Sequence, residues 1–416
     1  MKNSRRVAVT GLGVIAPNGI GKDTFWQNLI AGKSAIDYIT AFDPTPYPCH
    51  VAGEVRDFDP KDFSTSRKAK MMGRFSQFAV AATRLAFDDA RFKMTPDMAP
   101  RTSVFYGTSV NGGGDVAADA LESIWRDGVS AINPWAALEY PPHATSSYVA
   151  IEFGITGPAL SVSSNCCTGI DAINEGFTRI REGTSTVAVV GACDAPIFPL
   201  AFGAFCALGA LSKRNDAPRK ASRPYDKLRD GIVISEGAAT LILEELDFAR
   251  DRGAPIYAEV LGHGSASEAI GMRKGDLTGR RMASAISDAI RQAGLTSDAI
   301  DHVNAHGSSL PDYDICDTNA FKEAFGNHAY RIPITSIKSM IGQPISAAGT
   351  IQAAAACLSI RDQVVPPTIN QEVPDPQCDL DYVPNTSRTA RVRHVLVNGH
   401  SFGGSVAALV IGQVNE

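Results

Sequence analysis

Pro158-Ala159-Leu160-Ser161-Val162-Ser163-Ser164-Asn165-Cys166-Cys167-Thr168-Gly169 is the stretch from which the rest of the chain can be read. Its first residues alternate loosely between apolar and polar, as a short strand does. Beyond Gly169, the residues Ile170, Ile173, Phe177 and Ile180 share one face of a helix. The pattern predicts strand, tight turn and helix, with Cys166 at the turn. There the unpaired N–H groups and the positive end of the helix dipole favour thiolate over thiol. A thiolate is the nucleophile that thioester chemistry requires. The competing reading is a small buried hydrophobe, the commoner fate of an unpaired cysteine. Cys167 is assigned that role, as filler on the inner side of the helix.

Outward from this unit the chain alternates. Arg6–Ile15 (RVAVTGLGVI) reads as a buried strand entering a glycine turn. The run Gly11-Leu12-Gly13-Val14-Ile15-Ala16 imitates a dinucleotide fingerprint, but Pro17-Asn18-Gly19 follows where that motif needs a helix. Gly32-Lys33-Ser34 lacks the upstream glycine of a phosphate loop, since Gln27 stands there. Both are read as turns. Helices are predicted over 22–31 and 72–90, and strands over 102–110, 186–193 and 237–246, with a long polar loop over 211–226. Around Gly253-Ala254-Pro255 the pattern restarts: strand 256–267, helix 282–293, a strand running into His306, helix 315–325, strand 332–337 and helix 346–361. Alternation of this kind implies α/β layers with mainly parallel sheets. Two halves of similar pattern, 1–252 and 253–416, imply an internal duplication.

The 416 residues suffice for two domain-sized units, and a net charge of -5 supplies no basic field to hold nucleic acid. The eight cysteines contain no C-x-x-C pair, which gives no spacing for a metal site or a redox motif. Scattered unpaired cysteines fit a reducing cytosol, and no leader precedes the first strand, so a cytoplasmic protein is expected. No stretch approaches the roughly 18 apolar residues of a membrane helix, so no membrane partner is expected.

Three stretches of the second half carry chemistry. Asn304-Ala305-His306-Gly307-Ser308-Ser309 places a histidine at a strand end, where α/β folds present functional groups. Ser336-Ile337-Lys338-Ser339-Met340-Ile341-Gly342-Gln343-Pro344 sets Lys338 and Gln343 in a turn before an alanine-rich helix. Asn398-Gly399-His400-Ser401-Phe402-Gly403-Gly404-Ser405 is a glycine loop between late strands. Taken singly, a lone histidine is more often structural and a glycine loop is usually a turn. In the first half, Arg67, Lys68, Lys70 and Arg74 form either a solvated helix face or a docking patch for an acidic partner.

Together with GPALSVSSNCCTG, ALSKRNDAPRKASRPYDKLRDG, VVPPTIN and CDLDYVP, these stretches resemble the β-ketoacyl synthases, the elongating condensing enzymes of fatty acid and polyketide synthesis. FDPTPY and RFSQFAVAA look most like the ketosynthase subunits of type II polyketide systems. The resemblance spans essentially the whole chain. It implies the thiolase fold: two βαβαβαββ halves in five α-β-α-β-α layers. It implies Cys166 as the residue that takes an acyl group from an acyl carrier protein, and His306 as the first active-site histidine. Lys338 matches the lysine that organises the site through acidic neighbours, here Asp314 or Asp317, with Ser308 and His400 in support. Phe402 matches the gate whose backbone N–H forms the oxyanion hole with that of Cys166. Arg67, Lys68, Lys70 and Arg214 match positions that meet the carrier protein. No enzyme-bound cofactor or metal is implied, since the substrates ride on the carrier's phosphopantetheine, and a homodimer or a heterodimer with a related subunit is expected.

The departures are as specific as the matches. Gln343 stands at the family's second histidine, Leu310 at a threonine, Gly271 at a histidine and His400 at a phenylalanine. A glutamine amide can donate the hydrogen bond of a histidine but cannot titrate. Three readings therefore stand: a decarboxylating ketosynthase, an acyltransferase or cyclase that uses Cys166 without decarboxylation, and a chain-length-factor-like partner subunit. Cys166 and His306 argue against the third. A cysteine hydrolase built on Cys166, His306 and Asp314 is possible by residue type, with no sequence feature favouring water over a carbon nucleophile.

Overall fold

The computed structural model describes residues 5–110 and 114–414; the first four residues, glycines 112 and 113, and the last two residues lie outside that range, as does residue 111. The first half runs β1 (Val7–Ala16), α1 (Arg74–Asp89), β2 (Thr102–Gly107), α2 (Ala144–Phe153), β3 (Ala159–Val162), α3 (Thr168–Arg181), β4 (Val187–Asp194) and β5 (Gly237–Glu245). The second half repeats the order with β6 (Ala258–Ser267), α4 (Arg280–Gln292), β7 (His302–Asn304), α5 (Pro311–Phe325), β8 (Ile334–Thr335), α6 (Ala348–Asp362), β9 (His394–His400) and β10 (Ser405–Gly412).

The duplication is visible in the strand order. The first half reads β3-β2-β4-β5-β1 across its sheet and the second reads β8-β7-β9-β10-β6. In each, the first three strands are parallel and the last two antiparallel. The two sheets meet edge to edge, β1 against β6, through Ala8↔Glu259 and Val9↔Ala258. This is the βαβαβαββ architecture expected from the resemblance.

The layers follow from which residues are apolar. Strands β1, β4 and most of β5 are buried along their length, as strands covered on both faces must be. Helices α3 and α6 fill the space between the sheets. The predicted face Ile170, Ile173, Phe177 and Ile180 is buried there, and α6 is buried from Ala348 to Ile360. Helices α1 and α2 cover the outside of the first sheet around Phe75, Phe78 and Val149, and α4 and α5 cover the second around Met282, Ile286 and Phe321. Five layers result. Among the described residues no helix is long and apolar enough to cross a membrane.

One expectation changes. The glycines of Gly11–Ala16 do not make a turn, because β1 continues through them to Ala16. A Cβ on Gly13 would lie 1.8 Å from the Ala82 carbonyl oxygen, so the glycines let α1 seat on the strand. The polar segment 211–226 is mostly irregular, as expected of a loop, and exposed at Lys213, Asp216, Arg219 and Lys220, but part of it is packed inside. Ser212, Ser222, Arg223, Tyr225 and Asp226 are buried, and Arg223 pairs with Asp226 at 3.0 Å. There its polarity serves internal hydrogen bonds rather than water.

Candidate active site

The turn that carries Cys166 is built by small polar side chains. After β3 the chain turns at Asn165, whose φ of 56° lies in the left-handed region, and a short 3-10 turn over Asn165–Cys167 feeds α3. Thr168 Oγ1 accepts from the Ser164 N–H at 2.8 Å. The Ser401 hydroxyl donates to the Ser164 carbonyl at 2.8 Å and accepts from the Cys167 N–H at 3.0 Å, which ties this turn to the loop after β9. Cys167 is buried against the inner sheet, its thiol donating to the Ser405 carbonyl at 3.3 Å.

Cys166 opens onto a small cavity of about 10 Å³, lined also by His306, Ser308, Gln343, His400 and Phe402, with Ile232, Leu310, Tyr313 and Ile345 as further walls. That volume holds about one water and no acyl chain, and the half-buried Phe402 forms part of its wall. The Gln343 amide Nε2 donates to Cys166 Sγ at 3.2 Å. Its carbonyl Oε1 is buried with no partner among the described residues.

His306 is held at three points. Its N–H donates to Asn398 Oδ1 at 3.0 Å, its carbonyl accepts from Lys338 Nζ at 2.6 Å, and its ring Nδ1 accepts from the His400 N–H at 3.3 Å. A backbone N–H can only donate, so the neutral ring carries its proton on Nε2. Burial, the Lys338 charge and His400 push the imidazole well below its ordinary value, so it stays neutral.

The acidic neighbours act one step away from where the resemblance put them. Lys338 Nζ binds the His306 carbonyl and, at 3.1 Å, Gln352 Oε1, and makes no direct pair with Asp314 or Asp317. Both carboxylates are occupied. Asp314 accepts from the N–H groups of Ser308, Ser309 and Tyr225 at 2.9, 3.2 and 2.8 Å. Asp317 accepts from the Gly307 N–H at 2.8 Å, the Asn398 amide at 2.9 Å and the Tyr225 hydroxyl at 3.1 Å. They fix the backbone after His306. Burial pushes Asp314 up to about 7 against the pull of Arg229. Lys338 is pushed down to about 8 by burial, against Cys166, Asp317 and Asp314.

One expectation is reversed. The helix terminus does not make Cys166 a resting thiolate. Burial pushes its thiol up to about 12, with the Lys338 charge and the Gln343 amide pulling the other way.

The remaining sequence-derived residues lie outside this cavity. Arg67, Lys68 and Lys70 are exposed on and after a short helix, Ser66–Ala69, and Lys68 pairs with Glu152 at 2.6 Å. Arg214 is half-buried. Arg74 leaves the patch altogether, bonded to Glu236 at 2.7 Å. Several positioning residues escaped the sequence reading: Ser401, Asn398, and Gln352, whose amide donates to the Asn304 and Ala305 carbonyls at 2.9 and 3.0 Å. Ser401 and Asn398 lie inside a motif already singled out, whereas Gln352 looks like an ordinary helix residue among alanines.

Residues 4–249 match the family described as β-ketoacyl synthase, N-terminal domain, and residues 257–372 match the β-ketoacyl synthase, C-terminal domain. Over 99% of its length the chain is 42% identical to the tetracenomycin polyketide synthase ketoacyl synthase alpha subunit of Streptomyces glaucescens, of which 98% is covered. It is 38% identical to 3-oxoacyl-(acyl-carrier-protein) synthase 2 of Coxiella burnetii, over 99% of each chain. Among solved structures, the ishigamide ketosynthase/chain length factor superposes with a TM-score of 0.92 at 34% identity, covering 99% of this chain and 100% of that one. A type II PKS acyl-carrier protein in complex with its ketosynthase bound to the hexaketide gives a TM-score of 0.91 at 34% identity, with the same coverage.

Proposed function

The chain belongs to the β-ketoacyl synthase family, and from that premise we propose that it condenses acyl groups with malonyl groups carried on an acyl carrier protein, in a fatty acid or type II polyketide pathway. The observation that supports this reading is that Cys166, His306 and Gln343 line one cavity, with the Gln343 amide on the sulfur.

In the loading step Cys166 Sγ attacks the acyl thioester, with the N–H groups of Cys166 and Phe402 offered to the developing oxyanion. The carrier sulfur leaves and takes the thiol proton, so the site gains and loses no charge. In the second step malonyl thioester releases carbon dioxide, and the Nε2–H groups of His306 and Gln343 donate to the enolate oxygen. Both donors are neutral, so they stabilise the enolate electrostatically rather than by giving up a proton. The enolate carbon attacks the Cys166 thioester, the carbon–sulfur bond breaks, and the departing thiolate takes a proton from water and is restored as the thiol. Lys338 acts through its grip on the His306 carbonyl. The chemistry draws on the carrier's phosphopantetheine thioester and on no coenzyme. Arg67, Lys68, Lys70 and Arg214 are the docking residues of this reading, which places the protein in the cytoplasm as a homodimer or as one subunit of a heterodimer.

Intact-protein mass spectrometry after incubation with acyl-carrier protein tests the first step. A single acyl adduct is expected on the native chain and none on Cys166→Ala; full acylation of the alanine variant rules Cys166 out. Carbon dioxide release from malonyl-carrier protein tests the second. A rival reading, acyl transfer or ring closure without decarboxylation, draws on the fact that the Gln343 amide is engaged by sulfur. Robust carbon dioxide release defeats it.

A further inference from the structure

Beside the reaction cavity lies a second set of chemical groups that the proposed reaction does not use. Glu268 follows directly on β6, Cys316 lies in α5 and His400 ends β9, and all three are buried. One ligand atom from each lies within 4.8 Å of the other two, which makes this the only such metal-ligating group among the described residues. His400 Nε2 and Glu268 Oε2 are 3.1 Å apart, and Cys316 Sγ lies 3.8 Å from Glu268 Oε1.

The lone pairs of this group are not spent inside the protein. Among the described residues, Glu268 Oε2 and both ring nitrogens of His400 have no hydrogen-bond partner. The 3.1 Å approach of carboxylate and imidazole has ion-pair distance without hydrogen-bond geometry. The adjacent Tyr313 hydroxyl is also buried and unpartnered. A buried carboxylate whose only donor is a weak thiol at long range is costly unless a cation accompanies it.

We propose that Glu268, Cys316 and His400 bind a borderline-soft divalent cation of the zinc class. Ligand atoms bound to one tetrahedral zinc at its usual bond lengths stand about 3.2–3.8 Å apart; one atom from each of the three residues lies within 4.8 Å of the others, so a bound ion draws them slightly inward. A carboxylate, a thiolate and a neutral imidazole carry two negative charges, which a divalent ion cancels inside the fold. Carboxylate, thiolate and imidazole select zinc-like ions over calcium or magnesium, which take oxygen ligands. Three protein ligands leave a fourth position for water or the Tyr313 phenol. Sequence spacing could not find this site, because its ligands come from three segments far apart in the chain.

The ion ties together the elements that frame the Phe402 turn. The Glu268 N–H donates to the Gly404 carbonyl at 2.8 Å, the Gly403 N–H donates to the Met272 carbonyl at 2.8 Å, and His400 lies two residues before Phe402. Occupancy therefore stiffens the gate over Cys166. The inference rests on the ligands alone and holds or fails whether or not the chain condenses malonyl groups.

The test is cobalt(II) titration of the full chain after chelator treatment and dialysis, read by absorption spectroscopy. One equivalent of cobalt is expected to bind and to give a thiolate-to-cobalt charge-transfer band in the near ultraviolet with the intense visible bands of four-coordinate cobalt. Zinc should bleach both by displacement. The band should vanish in Cys316→Ala, which removes one small buried atom, and should survive in Cys166→Ala. His400→Phe, which retains an aromatic ring, should weaken binding at least tenfold. Absence of a stoichiometric band in the native chain overturns the proposal, as does a band that persists in Cys316→Ala or is lost in Cys166→Ala.

Discussion

The turn at Asn165–Cys167 and the turn at Ile345–Ala347 are one device used twice. Each opens on a residue with positive φ, 56° at Asn165 and 45° at Ile345, and each feeds a central helix through a 3-10 turn. The two helices touch where Gly169 meets Gly349: a Cβ on Gly169 would lie 2.6 Å from the Thr350 nitrogen, and one on Gly349 2.7 Å from the Ile170 nitrogen. The middle residue is Cys166 in one turn and Ser346 in the other. Cys166 faces a cavity with the Gln343 amide on its sulfur. Ser346 is sealed in, its hydroxyl donating to the Cys193 carbonyl at 2.9 Å and to Asp194 Oδ2 at 2.5 Å. Duplication supplied the scaffold twice, and chemistry is available only where the middle side chain meets open space. A β-branched residue with positive φ costs about 1–3 kcal/mol and persists where its surroundings over-determine it. Ile345 is such a residue, and it forms a wall of the cavity.

The most direct way to break this contrast is to make the first turn like the second. Cys166→Ser should fold normally yet lower acyl loading by at least about 10³-fold, because a serine hydroxyl without a positioned base is a poor nucleophile. Single-turnover consumption of acyl-carrier thioester measures it. Loading within tenfold of native would mean that position and not sulfur decides. Next in size is Gln343→Ala. Losing one enolate donor should slow carbon dioxide release by roughly 10²–10³-fold, with a smaller effect on loading. Equal loss in both steps would show that the amide serves the sulfur alone.

How much of this contrast could be read in the sequence differs between its two sides. The first turn was legible because polar residues, a cysteine and a periodic apolar face follow one another within a few residues. The fold was legible for a related reason: apolar strands and amphipathic helices alternate in each half. Ser346 and its turn were not, since Ile345-Ser346-Ala347-Ala348 looks like the start of any buried helix. The tautomer of His306 depends on a backbone N–H from His400, 94 residues away in the chain, which no local pattern encodes. The segment 211–226 was legible as a polar loop, but not the burial of Arg223 and Asp226 within it, because a local pattern does not show which neighbours accept its hydrogen bonds. The state of Cys166 misled because a sequence displays a helix terminus but not the cavity that closes over it.

Ser346→Ala sharpens the other side of the comparison. It strips a buried carboxylate and a buried carbonyl of a donor, a loss of about 1–3 kcal/mol in folding stability. Urea unfolding should show a lower midpoint with an unchanged slope, while loading of Cys166 in native buffer stays within twofold. A stable variant that loads poorly would show the two turns to be coupled through the Gly169–Gly349 contact rather than independent.

The smallest effect is one of pH, and it asks whether the helix end or the cavity governs the sulfur. Two like turns present like dipole ends, so the environment of the middle atom must set its charge. Burial raises the Cys166 thiol from its ordinary 9.0 to about 12, so between pH 6 and 8 the thiolate is a minor species that grows about tenfold per unit. Lys338, lowered from 10.5 to about 8, is cationic below that pH and favours the thiolate; above it the cation is lost and the gain per unit must shrink. Alkylation of Cys166 by iodoacetamide, followed from pH 6 to 9 by mass spectrometry, should therefore climb steeply to pH 8 and less steeply beyond, with no plateau. In Lys338→Met the break at pH 8 should disappear and the whole curve should fall. A plateau centred below pH 8 in the native chain would mean that the dipole outweighs desolvation after all, and Cys166 would then owe its reactivity to the turn that Ser346 shares rather than to the cavity that Ser346 lacks.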